Sequence, residues 1–209
     1  MTKKYILTGG PGVGKSTLLE KISKTGIYTI KEAASYIIKR EIEKEGEILP
    51  WKNRTLFQQT LLRTQQNWEK EIPEEISYAL IDRGIHDGIA YYQIENLEPP
   101  EELIQAANNA NYSGIFILEP LSSYENTPLR REDQGTGKII HEKIRQVYET
   151  AGYTPVIIPA KSLDERLSEV LEKIFSNEIL LNSNHKGIFE HDTMKQHEKQ
   201  KSDSIGGRK

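Results

Sequence analysis

The chain has 209 residues, enough for one sizeable core with length to spare, and no cysteine, which removes disulfides and thiolate-bound metals. A formal charge of −3 leaves no basic footprint for nucleic acid, and no apolar run approaches the roughly 20 residues of a membrane span. Met1-Thr2-Lys3-Lys4 passes straight into an apolar run, so no cleavable signal is expected, and the expected location is cytoplasmic.

In chain order, Tyr5-Ile6-Leu7 reads as a short buried strand. It delivers Thr8-Gly9-Gly10-Pro11-Gly12-Val13-Gly14-Lys15-Ser16-Thr17, which fits G-x-x-x-x-G-K-[ST] from Gly9 to Ser16. Leu18, Leu19 and Ile22 continue at helical spacing to Gly26. Ile27–Ile30 is a second short strand, followed at once by Glu32 and a helix carrying Ile37, Ile38 and Ile42. A long helical stretch runs from Trp51 to Glu71, with Leu56, Leu61, Leu62 and Trp68 as core candidates. Ser77–Ile81 is the third strand and ends on Asp82-Arg83-Gly84. A helix with Ile89, Ala90, Tyr91 and Tyr92 follows, then Pro99-Pro100 and a second short helix. Tyr112–Leu118 is the fourth strand, and 119–138, without an apolar period, reads as a loop. Ile139–Ala151 is helical, Pro155–Ile158 is a fifth strand and Leu163–Phe175 a closing helix.

Alternating strands and helices of these lengths predict an α/β three-layer sandwich of the P-loop NTPase kind. It has a five-stranded, mostly parallel sheet covered by helices on both faces. This domain is expected over residues 1–175. Residues 176–209 are rich in Asn, His, Lys, Gln, Ser and Gly and read as a disordered polar tail. His185, His191 and His197 lie in that tail without a carboxylate or thiol at ligand spacing, so they read as solvated.

The Gly-rich loop carries the firmest chemistry. Its glycines let successive N–H groups from Gly9, Gly10, Pro11 (which contributes only shape), Gly12, Val13, Gly14, Lys15, Ser16 and Thr17 line a polyphosphate cradle. Lys15 reaches the β- and γ-phosphates, and the helix N-terminus adds its dipole. Ser16 and Asp82, the latter at the end of an apolar strand, are the expected Mg²⁺ ligands. ATP is the expected nucleotide. No N-K-x-D guanine signature is present, and GTP stays open.

In open α/β sheets ligands bind beyond the carboxyl ends of the strands, where further polar residues converge. Glu32 reads either as a general base for an acceptor hydroxyl or as a helix N-terminal residue held by the dipole. Arg83 either orients a substrate anion or orders the rim by pairing with Glu32 or Asp87. Arg130 and Arg131, with Glu132 and Asp133, read as a lid closing over the phosphoryl group or as a solvated charge cluster. Lys15, Glu32, Asp82, Arg83, Arg130 and Arg131 are the candidate catalytic set. Among the aromatic residues Trp51, Trp68, Tyr91, Tyr92 and Tyr124, the last is the first candidate to stack on a base.

Taken together, Gly9–Thr17, Glu32-Ala33-Ala34, the Gln-rich helix after Trp51, and Asp82-Arg83-Gly84 with Asp87, Ala90 and Tyr91 resemble one P-loop family. It is the AAA-type ATPase domain shared by the kinase part of nicotinamide-riboside kinase/NMN adenylyltransferase regulators and by the TRPL-translocation-defect proteins. The resemblance covers roughly Met1 to Phe175 and implies nucleotide binding. An adenylyltransferase domain is not recognisable, so the bifunctional activity is not implied. The Asp82-Arg83 pair is also similar to the deoxynucleoside-kinase pattern, which implies a kinase-like fold in preference to a ring-forming machine. Two functions follow as expectations. One is an ATP- and Mg²⁺-dependent kinase for a small, nucleoside-like hydroxyl acceptor; the other is an ATPase or nucleotide switch acting on a protein or lipid partner.

Overall fold

In a computed structural model, residues 1–121 and 134–176 are described. Arg130, Arg131, Tyr124 and the tail histidines all lie outside them. The elements are β1 (Lys3–Thr8), α1 (Lys15–Ser23), β2 (Tyr28–Ile30), α2 (Ala33–Glu43), α3 (Arg54–Lys70), β3 (Tyr78–Asp82), α4 (Ile85–Ile94), α5 (Glu101–Asn109), β4 (Gly114–Leu118), α6 (Gln134–Thr150) and β5 (Val156–Ile158). A helix over residues 163–176, α7, follows. The chain divides into two units, Met1–Val170 and Leu171–Lys209. The first holds the sheet and all the residues discussed below. Of the second, only 171–176, the end of α7, is described.

All five strands are parallel, in the order β2-β3-β1-β4-β5. The apolar residues of β1, β3 and β4 are buried, as a parallel sheet covered on both faces requires. Ile6, Ile81, Ile115 and Ile117 of the sheet join Ala90 of α4 and Ile140, Ile144, Val147 and Tyr148 of α6 in one cluster. From β1 the chain moves out to β2, returns to β3, and then crosses to β4 on the other side. The switch point therefore falls at the carboxyl end of β1, where the Gly-rich loop stands.

Two expectations need correction. Residues 134–138 belong to α6, although Gly135 and Gly137 weaken the pattern there. In α3 Leu62 is buried as expected, but its buried partner is Phe57, and Leu56 is exposed. Among the described residues no helix is long and apolar enough to cross a membrane.

Candidate functional site

The site begins with what α1 lacks. Its N-cap is Gly14, which offers no side-chain cap, and its first turn contains no acidic residue. The orphan N–H groups of a helix start are therefore left for an anion. Gly9, Gly12 and Gly14 have φ of 135°, 79° and 88°, in the range that favours glycine, and they bend the loop around that point. Lys15 folds over the loop, donating to the carbonyls of Gly9 at 3.3 Å and Gly10 at 3.0 Å. Burial, then the charge of Arg83, lowers its pKa to about 8 against the pull of Asp82, Glu32 and Asp87.

Asp82 ends β3 in register with Leu7 of β1 and is buried. Burial raises its pKa to about 6, opposed chiefly by Lys15. Its Oδ1 has no hydrogen-bond partner among the described residues. A buried, unpaired carboxylate oxygen beside a phosphate cradle fits a hard cation, which takes oxygen ligands. Ser16, exposed at the first turn of α1, provides the hydroxyl of the expected pair. No cluster of three or more acidic or histidine ligands occurs among the described residues, so any Mg²⁺ here would depend on phosphate oxygens and water as well.

Arg83 leaves the strand with φ 66°, an uncommon conformation for a residue with a side chain, costing on the order of 1 kcal/mol. Its buried guanidinium donates through Nε to Glu32 Oε1 at 2.6 Å. Through Nη1 it donates to the Gly9 carbonyl at 3.2 Å and to Asp87 Oδ1 at 3.1 Å. It also lies over the Tyr91 ring, 5.5 Å from the centroid. Glu32 is the N-cap of α2, yet its carboxylate caps no helix amide. It instead accepts from Arg83 and from the Ser35 hydroxyl. Burial works to raise the Glu32 pKa, but the charges of Arg83 and Lys15 and these hydrogen bonds outweigh it and bring the pKa to about 2. The carboxylate is thus ionised at neutral pH.

Asp87 is the hub that fixes Arg83. Oδ1 accepts from the Thr8 hydroxyl at 2.5 Å and from Arg83; Oδ2 accepts from the Gly84 N–H at 3.1 Å and from the Tyr148 hydroxyl at 2.7 Å. Gly84 is needed for space, since a Cβ there would meet Tyr148 Oη at 2.6 Å. Gln65 of α3 donates to the Arg83 carbonyl at 3.4 Å. Gln65 also lines a cavity of about 260 Å³ together with Gln58, Gln59, Tyr92 and Leu103.

Two side chains that the sequence did not single out grip the loop from the β4 side. His141 of α6 accepts the Gly10 N–H at 3.3 Å, and Arg166 of α7 donates to the Val13 carbonyl at 2.7 Å. The structure therefore brings Lys15, Glu32, Asp82 and Arg83 into one cluster around the Gly-rich loop. Of the expected aromatic contacts, Tyr91 supports Arg83, Tyr92 lines the cavity, and Trp68 packs edge-on against Tyr36.

Comparison with known proteins bears on the fold that carries this site. The fold is similar to thymidylate kinase from Ehrlichia chaffeensis, at 12% identity and a TM-score of 0.60, over 83% of this chain and 98% of that one. Deoxyadenosine kinase from M. mycoides, solved with dCMP and dCDP, matches at 14% identity and a TM-score of 0.57, over 83% and 99%. NadR in complex with NR matches at 11% identity and a TM-score of 0.62, covering 84% of this chain but 50% of NadR. No curated protein matches the sequence significantly. These likenesses establish a P-loop kinase/NTPase fold, and the AAA-domain family model matches residues 4–166. The chain belongs to the AAA-domain family of P-loop proteins.

Proposed function

We propose that the protein is an ATP- and Mg²⁺-dependent kinase that transfers the γ-phosphoryl group to a hydroxyl of a small, nucleoside-like acceptor. The observation that carries this reading is the cluster at the ends of β2 and β3. There an ionised carboxylate, Glu32, and a guanidinium, Arg83, stand beside the lysine of a phosphate loop. Lys15 and the loop amides would hold the polyphosphate, and Ser16 and Asp82 would hold Mg²⁺, which would supply charge neutralisation at the phosphate oxygens. Glu32 accepts the proton of the acceptor hydroxyl as it attacks. Its low pKa makes it a weak base but keeps it ready in ionised form. Arg83, fixed by Asp87, orients the acceptor; the expected lid pair, Arg130 and Arg131, lies outside the described residues. The cavity that Gln65 joins to Arg83 mixes apolar Leu61, Leu62 and Leu103 with hydrogen-bonding Gln58, Gln59 and Tyr92, a lining that supports a small organic acceptor. The thymidylate kinase, the deoxyadenosine kinase and NadR with NR support the nucleoside-like class.

A second reading, an ATPase or nucleotide switch for a protein or lipid partner, draws support from Arg83 itself. Its Nε and Nη1 donors are already taken by Glu32, Gly9 and Asp87. ADP release measured across a panel of nucleosides and vitamins separates the two. The kinase reading expects an acceptor that raises ADP release well above basal hydrolysis, with Glu32→Gln removing that increment and leaving ATP affinity intact. Basal hydrolysis alone, unchanged by every acceptor and by Glu32→Gln, would favour the switch.

A further inference from the structure

Arg166 is a buried cation that the proposed chemistry does not use. It stands in the first turn of α7 and is 2% exposed. A reciprocal cap sets its position: the Ser162 N–H donates to Glu165 Oε2 at 3.0 Å, and the Glu165 N–H donates to Ser162 Oγ at 3.3 Å. From there the guanidinium spreads over three loops. Nε donates to the Pro159 carbonyl after β5 at 2.9 Å. Nη2 donates to the Glu119 carbonyl after β4 at 2.8 Å, and Nη1 to the Val13 carbonyl inside the loop after β1 at 2.7 Å. Among the described residues no carboxylate pairs with it. The side chain of Glu119, whose backbone it holds, instead lies near His141 Nε2 at 3.6 Å.

A buried charge is expensive, and the Glu119 carboxylate offsets the cost only in part, so what the guanidinium holds matters. The C=O of Val13 and the N–H of Gly14 belong to one planar trans peptide and point in opposite directions. A guanidinium that draws the Val13 carbonyl outward therefore turns the Gly14 N–H inward. The Gly9–Gly10 peptide, earlier in the loop, is held from α6 by its N–H instead of its carbonyl. His141 holds the Gly10 N–H, and the Gly9 carbonyl of that peptide faces Lys15 and Arg83.

We infer that Arg166 is a positioning residue for the phosphate cradle: it aims the Gly14 N–H at bound polyphosphate and keeps a positive charge one peptide away from it. Only a guanidinium has donors fanned widely enough to serve three carbonyls at once. The inference requires a loop that binds nucleotide and is independent of what the phosphoryl group is transferred to.

The test is calorimetric binding of Mg·ATP and of inorganic tripolyphosphate to the full chain, its fold checked by circular dichroism. Arg166→Met is expected to weaken both ligands by about tenfold or more, the value of a charge-assisted hydrogen bond. Arg166→Lys, which keeps the charge but not the fan, is expected to recover only part of the loss. A folded Arg166→Met protein that binds both within twofold of the parent, or full recovery in Arg166→Lys, overturns the inference. Should Arg166→Met fail to fold, the ¹⁵Nε resonance of Arg166 in the unmodified protein decides. It is expected to shift when tripolyphosphate is added, and an unmoved resonance overturns the inference.

Discussion

The two flanks of the phosphate loop are built on opposite electrostatic plans. On the β2–β3 side, charges answer charges: Arg83 is shared between Glu32 and Asp87, and Asp82 faces Lys15 across the cleft. On the β4–β5 side, the cation Arg166 is surrounded by carbonyls, and the contact to the loop from α6 is a histidine. The first flank is a network of paired charges. The second is a frame in which one guanidinium and one imidazole hold backbone groups of the loop and its neighbours.

The largest effect expected from breaking this division comes from Asp87. Asp87→Ala strips the acceptor from Thr8, Gly84 and Tyr148 and removes one of the two anions around a buried arginine. A loss of about 3–5 kcal/mol is expected in urea denaturation, the range for removing one partner of a buried ion pair. Asp87→Asn, which keeps one oxygen, is expected to fall between. A cost under about 1 kcal/mol for the alanine variant would mean that the β2–β3 network does not hold the rim.

Next comes the frame. A Cβ on Gly10 would meet the Gly137 carbonyl at 2.9 Å and His141 Cβ at 3.2 Å. Gly10→Ala should therefore push α6 off the loop, at about 1–3 kcal/mol of overpacking cost. Nucleotide affinity should fall with it, measured by calorimetry alongside denaturation. Loss of stability with unchanged affinity would separate α6 from the cradle.

What could be read in advance follows the same division. The Gly-rich loop, Glu32 and the Asp82-Arg83-Gly84 segment are recognisable locally, each from its place at the end of a short apolar strand, although the pairing of Arg83 with Glu32 spans 51 residues. Asp87 lies three residues past Gly84 and was visible as part of that segment. His141 and Arg166 grip the loop from sequence positions 131 and 153 residues distant, and neither carries a local signature. The first turn of α6 was hidden for a related reason. Gly135 and Gly137 weaken its intrinsic helicity, yet the helix lies against Gly10, whose missing side chain leaves room for the Gly137 carbonyl. Its helical state is a tertiary effect, as is the choice of Phe57 over Leu56 in α3.

The smallest effect, and the sharpest test of the contrast, is the pH dependence of stability without nucleotide or divalent metal. Glu32, lowered from 4.5 to about 2, leaves the folded chain with fewer bound protons than the unfolded chain between those values. Its contribution is present above about pH 4.5 and lost as pH falls toward 2. Asp82, raised from 3.8 to about 6, does the reverse. The folded chain holds the extra proton, so stability declines as pH rises from about 4 to 6. Lys15, lowered from 10.5 to about 8, adds a rise between those two values, where the unfolded chain binds the extra proton. Each limb is expected at no more than about 3 kcal/mol, the value of a shift of roughly two units. Glu32→Gln should erase the acid limb, and Asp82→Asn the decline above pH 4. Arg166→Met should leave all three limbs in place, because the Arg166 guanidinium stays charged throughout this range. If Arg166→Met moved the acid limbs as Glu32→Gln or Asp82→Asn does, the two flanks would be one electrostatic unit and the division between them would fail.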